Sequence, residues 1–99
     1  MNERPIVSRE AIAGFCKANA LRELSLFGSA IRADFTAESD VDVLIDIQPG
    51  ARVGLVALQR MRDELSAIFG RPVDLVTRAG LNRHIRDEVQ RQAEIVYAE

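Results

Sequence analysis

Apolar residues recur along this chain with two different periods, and the switches between them mark out its elements. Ala11, Ile12, Phe15 and Cys16 fall at helical spacing behind Ser8, which predicts a helix over about 9–19 with Ser8 as its cap. A short apolar run, Leu24-Ser25-Leu26-Phe27, predicts a strand at about 23–27. The stretch Ala30 to Phe35 has room for one or two helical turns, and Thr36 to Ser39 read as a loop. From Val41 the period drops to two. Val41, Val43, Ile45 and Ile47 share one face of a strand at about 41–47, while Asp40, Asp42, Leu44 and Asp46 share the other. Pro49-Gly50 ends that strand. Leu55, Leu58, Met61, Leu65 and Ile68 then form a stripe spaced by three and four, which predicts a helix over about 54–69 stopped by Gly70. Pro72 to Thr77 read as a third strand. After the break at Gly80 a last helix is expected from about 82 to the end, with Ile85, Val89, Gln92 and Val96 on one side.

The order helix, strand, short helix, strand, helix, strand, helix describes an α/β chain of the α+β type. It predicts a small mixed sheet of about three strands with helices packed on one face. No repeat, linker or low-complexity tract divides it, so residues 1–99 are expected to form one domain. A 47% hydrophobic and 28% charged composition is that of a globular chain. The net charge of −2 offers no general attraction to nucleic acid or to anionic membranes. Cys16 stands alone, beside Ile12 and Phe15, and so reads as a buried small side chain rather than a reactive thiol. With no long apolar run and no apolar segment behind Met1-Asn2-Glu3-Arg4, the expectation is a cytoplasmic protein. Twelve of the thirteen basic residues are arginine; this suits forked contacts with phosphate, and equally suits a genome biased towards arginine codons.

The chemistry is concentrated between residues 28 and 42. Gly28-Ser29 ends one strand, ten residues intervene, and Asp40-Val41-Asp42 opens the next. Alternation along a strand points Asp40 and Asp42 the same way, roughly 6.5–7 Å apart. Two carboxylates so close repel, and a hard divalent cation such as magnesium relieves that repulsion while also engaging phosphate oxygens. The same pair could equally be the polar face of a half-exposed strand. Asp46 illustrates that reading, since it shares their parity and lies roughly 13 Å beyond Asp42, too far to share an ion. Gly28 allows close approach to the backbone, and amides at a helix N-terminus after it would favour a phosphate, with the Ser29 hydroxyl as a further donor. Asp74 interrupts the apolar run Val73-Asp74-Leu75-Val76, where aspartate is disfavoured. It either faces water on an edge strand or converges with Asp40 and Asp42. A trio of carboxylates suits two magnesium ions and an in-line displacement at phosphorus. Arg32 could contact a triphosphate. Arg78 and His84 read as solvated, and no zinc motif or phosphate-binding glycine loop with lysine is present.

Taken together, Phe27-Gly28-Ser29-Ala30-Ile31-Arg32, Phe35, Ser39-Asp40-Val41-Asp42-Val43-Leu44-Ile45 and Val73-Asp74-Leu75-Val76 resemble the nucleotidyltransferases of the DNA polymerase beta superfamily. The resemblance is strongest to the minimal nucleotidyltransferase (MNT) domains of prokaryotes, and extends to Ile95-Val96-Tyr97, which looks like that family's closing helix. It implies the nucleotidyltransferase fold over residues 1–99. It also implies that Asp40 and Asp42 hold two magnesium ions and that Asp74 completes the metal site and helps to deprotonate the attacking hydroxyl. Gly28 and Ser29 would hold the β and γ phosphates of the nucleotide, with Arg32 close by. Ala33 departs from the glycine that many relatives carry, and removes no ligand.

The reaction so implied moves AMP from ATP to a hydroxyl and releases pyrophosphate. Larger members carry an acceptor-binding domain, so the acceptor is expected on a partner. Minimal domains of this kind resemble the antitoxin halves of HEPN–MNT pairs, in which AMP is added to a tyrosine of a HEPN ribonuclease toxin. Two rivals stand beside this reading. One is a non-catalytic module that neutralises its partner by covering it; the other is a nucleotidyltransferase acting on a small molecule with the help of a partner subunit.

Overall fold

The computed structural model describes residues 8–28, 40–81 and 83–99, and the side chains of all of these except residues 83–86 and 90. The expected turns over 30–35 and loop over 36–39 lie outside the described residues. Among the described residues seven elements follow one another: α1 (Arg9–Ala18), β1 (Leu21–Phe27), β2 (Val41–Ile47), α2 (Leu55–Phe69), β3 (Val73–Thr77), α3 (Arg83–Gln92) and β4 (Glu94–Ala98).

The helix boundaries have local causes. The Ser8 hydroxyl accepts from the Ala11 amide at 3.3 Å, which satisfies one of the open donors of the first turn. Glu10 in that turn and Lys17 in the last complement the helix dipole. Asn19 closes the other end, its side-chain amide donating to the Phe15 carbonyl at 2.8 Å. The second helix stops at Gly70, whose left-handed φ of 71° lets its amide reach the Ser66 carbonyl at 2.9 Å. Ser66 also ties helix to sheet. Its hydroxyl donates to the Arg62 carbonyl at 2.8 Å and accepts from the Val73 amide, the first of β3, at 3.2 Å.

The sheet has the order β3-β2-β1-β4. β1 pairs antiparallel with β2 on one side and with β4 on the other, whereas β2 and β3 are parallel, joined through α2. Leu24, Leu26, Val41, Val43 and Ile45 turn to one face, where Ile12, Phe15 and Cys16 of α1 and Met61, Leu65 and Phe69 of α2 cover them. Each such fully buried aliphatic side chain contributes roughly 1.5–3 kcal/mol. The strand alternation therefore leaves Asp42, Leu44 and Asp46 on the opposite face.

Three sequence-based expectations are corrected here. The chain does not stay helical to its end: α3 stops at Gln92, and Glu94–Ala98 forms a fourth strand against β1. The reason lies in Ile95-Val96-Tyr97, a β-branched and aromatic run that fills the open edge of β1, with Val96 and Tyr97 packed on the core. Val89 and Val96 are seven residues apart, and a spacing of seven had made this strand look like two more turns of helix. The sheet consequently has four strands rather than three. Lastly, the buried stripe of α2 begins at Leu58 and ends at Phe69, while Leu55 is 72% exposed. Among the described residues no helix is long and apolar enough to cross a membrane.

Candidate active site

Three strand ends meet at one end of the sheet. The C-terminal end of β1 lies beside the N-terminal ends of β2 and β3, with Phe27 opposite Asp42 and Asp42 opposite Asp74. Paired residues on neighbouring strands point to the same side, about 4.8 Å apart. Val41, Val43 and Val73 point into the core, so Asp42 and Asp74 project from the other face as adjacent carboxylates. Asp42 is half-buried and Asp74 exposed. The apolar run around Asp74 thus has a simple explanation: its neighbours serve the core, and the aspartate faces its counterpart on β2.

Gly28 follows β1 directly, with φ at +59° in the left-handed region. A Cβ built on it would overlap the Asp42 carboxylate, with Asp42 Cγ at 3.2 Å. The glycine and the aspartate therefore occupy one contact, although fourteen positions separate them in sequence. Asp40 stands immediately before β2 and is exposed. The Val41 amide, next along, donates to the Pro72 carbonyl at 3.0 Å, which extends the β2–β3 ladder to the edge of the site. Ser29 and Arg32 lie outside the described residues, as does the side chain of His84.

The donor chemistry fits a hard divalent cation: two neighbouring carboxylates on an open polar surface, beside a turn whose glycine leaves room for close approach. Among the described residues, no group of three or more His, Cys, Asp or Glu side chains is close enough to share one ion. What the structure assembles is the Asp42–Asp74 pair, with Asp40 at the residue before the strand.

A second charged group occupies the other end of β2. Asp46 Oδ2 accepts from Arg78 Nη1 at 3.1 Å and lies 3.6 Å from Arg22 Nε. The Arg78 amide also donates to the Ile45 carbonyl at 2.8 Å, continuing the parallel ladder past β3. Arg78 is thus not simply solvated, as its sequence context suggested; it pins the end of β3 to β2. Asp46 and Arg78 are thirty-two positions apart, and only the parallel register reveals the pair.

Cys16 is fully buried in the core, and desolvation pushes its thiol up to about 12, so it stays protonated and inert. A groove of about 360 Å³ runs between α2 and the outer edge of β3, lined by Leu58, Arg62, Leu75 and Val76 among others. It includes none of the aspartates.

The sequence pattern of the nucleotidyltransferase domain matches residues 9–96, nearly the whole chain. The chain belongs to the nucleotidyltransferase family. It is 35% identical over 77 residues to the protein adenylyltransferase MntA of Thermococcus cleftensis, an alignment covering 78% of this chain and 74% of that protein. Among solved structures, one described as a minimal nucleotidyltransferase is 30% identical and superposes with a TM-score of 0.72, covering 86% of this chain and 85% of the other. The MNT fold is shared at lower identity as well. In a complex of a tri-AMPylated Shewanella oneidensis HEPN toxin with its MNT antitoxin, the matching chain is 18% identical, with a TM-score of 0.66 over 92% of this chain and 70% of that one.

Within this nucleotidyltransferase, then, the strand ends that carry Gly28, Asp42 and Asp74 are the place to look for chemistry. The glycine–aspartate contact is the feature that sequence reasoning missed. Its only signal was the glycine itself, which had been assigned to the phosphates alone.

Proposed function

We propose that this nucleotidyltransferase is a magnesium-dependent protein adenylyltransferase that moves AMP from ATP to a hydroxyl of a partner, a tyrosine of a HEPN-type toxin, and thereby acts as an antitoxin. The observation that supports this best is the in-register Asp42–Asp74 pair beside Gly28. The relative named protein adenylyltransferase and the AMPylated toxin bound to an MNT antitoxin supply the acceptor class. The reading takes residues 1–99 as one minimal domain working in the cytoplasm, with no direct nucleic-acid contact.

In this mechanism the acceptor hydroxyl oxygen attacks the α-phosphorus of ATP, and the bond from that phosphorus to the oxygen bridging to the β-phosphate breaks. AMP is then esterified to the acceptor and pyrophosphate leaves. Asp40 and Asp42 would hold two magnesium ions, with Asp74 completing the set. When bound, the ions would neutralise phosphate charge and steady both the attacking and the leaving oxygen. Asp74, on the strand beside Asp42, accepts the proton from the incoming hydroxyl. Gly28 and Ser29 present backbone amides and a hydroxyl to the β and γ phosphates, and Arg32 adds a guanidinium there.

Mass spectrometry of a HEPN-type toxin from the same organism, after incubation with this chain, ATP and magnesium, tests the proposal. The toxin should gain the mass of one or more AMP groups on tyrosine, and Asp42→Asn should abolish the gain. Complex formation without any mass gain would instead favour neutralisation by covering. Adenylation of a small-molecule hydroxyl in place of the toxin would favour the other alternative.

A further inference from the structure

We propose that Gly28 is a positioning residue for Asp42: its bare α-carbon is the floor on which the Asp42 carboxylate lies. The inference rests on the reading of Asp42 as a metal-holding carboxylate. It assigns Gly28 a task separate from holding phosphates, because a backbone amide would serve a phosphate from any residue, whereas only glycine leaves this floor clear.

The other glycines make the contrast. Gly50 and Gly70 also have positive φ, at 85° and 71°, yet a Cβ built on either meets nothing within 4 Å. They are glycines for the sake of their backbones. A Cβ on Gly14 or Gly54 likewise meets nothing, and one on Gly80 meets the Thr77 hydroxyl of its own turn at 2.8 Å. Among the described glycines, Gly28 alone is packed against a carboxylate from another element. The clash also falls on the far end of that side chain. Asp42 Cβ sits at 3.5 Å, an ordinary contact, and Cγ at a tight 3.2 Å, while the overlap itself is with Oδ2. A methyl group at position 28 therefore spares the strand and displaces the carboxylate. The displaced group must rotate away from β1, and the spacing between the Asp42 and Asp74 oxygens changes with it. A site that holds a small cation between such oxygens tolerates little error of this kind.

Two contributions to the cost of Gly28→Ala can be separated, since shortening Asp42 to alanine removes the clash and keeps the left-handed φ. The experiment is a thermal-unfolding cycle on the full chain: native, Gly28→Ala, Asp42→Ala and the double variant. In the Asp42→Ala background Gly28→Ala costs only the strain of a left-handed alanine, a Tm loss of roughly 4–12 °C in a domain of this size. In the native background the loss is expected to be larger by at least about 5 °C. Equal losses in the two backgrounds overturn the proposal. Should Gly28→Ala fail to fold, a double variant that folds supports it, and a double variant that also fails overturns it. Binding supplies a second readout, by electron paramagnetic resonance of manganese with a non-hydrolysable ATP analogue. Gly28→Ala should weaken manganese binding about tenfold. Weakening of nucleotide binding alone would return Gly28 to a purely phosphate-binding role. If the native chain binds no manganese, the adenylyltransferase reading falls, while the unfolding cycle still decides whether the carboxylate rests on Gly28.

Discussion

Asp42 and Asp46 sit on the same strand and the same face, two periods of alternation apart, with different surroundings. Asp46 is met by cations: Arg78 bonds it at 3.1 Å and Arg22 stands at 3.6 Å. Asp42 is met by another carboxylate, Asp74, across the ladder, and lies on a glycine that leaves it room. One end of β2 places opposite charges together, which favours the fold. The other end sets two carboxylates in register on neighbouring strands. The two ends thus differ in what adjoins each aspartate, within a strand whose sequence, Val41-Asp42-Val43-Leu44-Ile45-Asp46-Ile47, looks the same at both ends.

The sharpest way to break this comparison is to neutralise each aspartate in turn. Asp42→Asn keeps the shape and removes the charge. AMP transfer should fall by roughly a thousandfold or more, the scale of several kcal/mol of transition-state stabilisation, with little change in Tm. Asp46→Ala should do the reverse. It leaves two guanidiniums without their shared acceptor, but its partners are about half exposed, so the loss is held to about 0.5–1 kcal/mol, or a few degrees of Tm. Its transfer rate should remain within a few-fold of native. Equal effects of the two variants on either measurement would erase the distinction between the ends of β2.

That distinction was only half legible in the sequence. Alternation placed Asp42 and Asp46 on the non-core face, because Val41, Val43 and Ile45 are too apolar to be anywhere but inside. The bounds of β2, and of α1 and α2 to within a residue, followed from local patterns and caps that act over three or four positions. What local pattern does not carry is register. The Arg78–Asp46 bond and the Gly28–Asp42 contact both depend on which strands lie together, and neither residue's neighbours hint at its partner. The fourth strand failed for a different reason: Ile95-Val96-Tyr97 suits a strand by composition, but Val89 and Val96 also continue a helical stripe, and the free edge of β1 decided between them. Leu55 shows the converse. Helical spacing assigned it to the buried stripe, yet it stands in the first turn of α2 and is largely exposed.

An intermediate effect should come from outside the strand. The Ser66 hydroxyl holds the Val73 amide at 3.2 Å, one residue before Asp74, so it anchors the start of β3 to the end of α2. Ser66→Ala leaves that amide without this acceptor in a half-buried place and should cost about 1 kcal/mol. If Asp74 depends on a firmly held β3, the transfer rate should also drop a few-fold at unchanged nucleotide affinity. A loss of stability with no change in rate would mean that the ladder to β2 positions Asp74 unaided.

The smallest expected effect separates the two arginines that share Asp46. Arg78 makes a direct hydrogen bond and its own amide extends the ladder, so its side chain is held in place before the ion pair forms. Arg22 is half exposed, and at 3.6 Å its Nε contributes mainly Coulomb attraction through solvent. Arg22→Ala should therefore cost no more than about 0.3 kcal/mol, and that much should vanish at ionic strengths near 1 M, where screening reaches within about 3 Å. Arg78→Ala should cost about 0.5–1 kcal/mol and keep most of it in salt, because a short hydrogen bond between held groups is screened less. Urea titrations of both variants at low and high salt resolve the difference. If the two arginines cost the same and fade together in salt, Asp46 is only a surface charge in a diffuse field, and the balanced end of β2 owes nothing to the bond that joins it to β3.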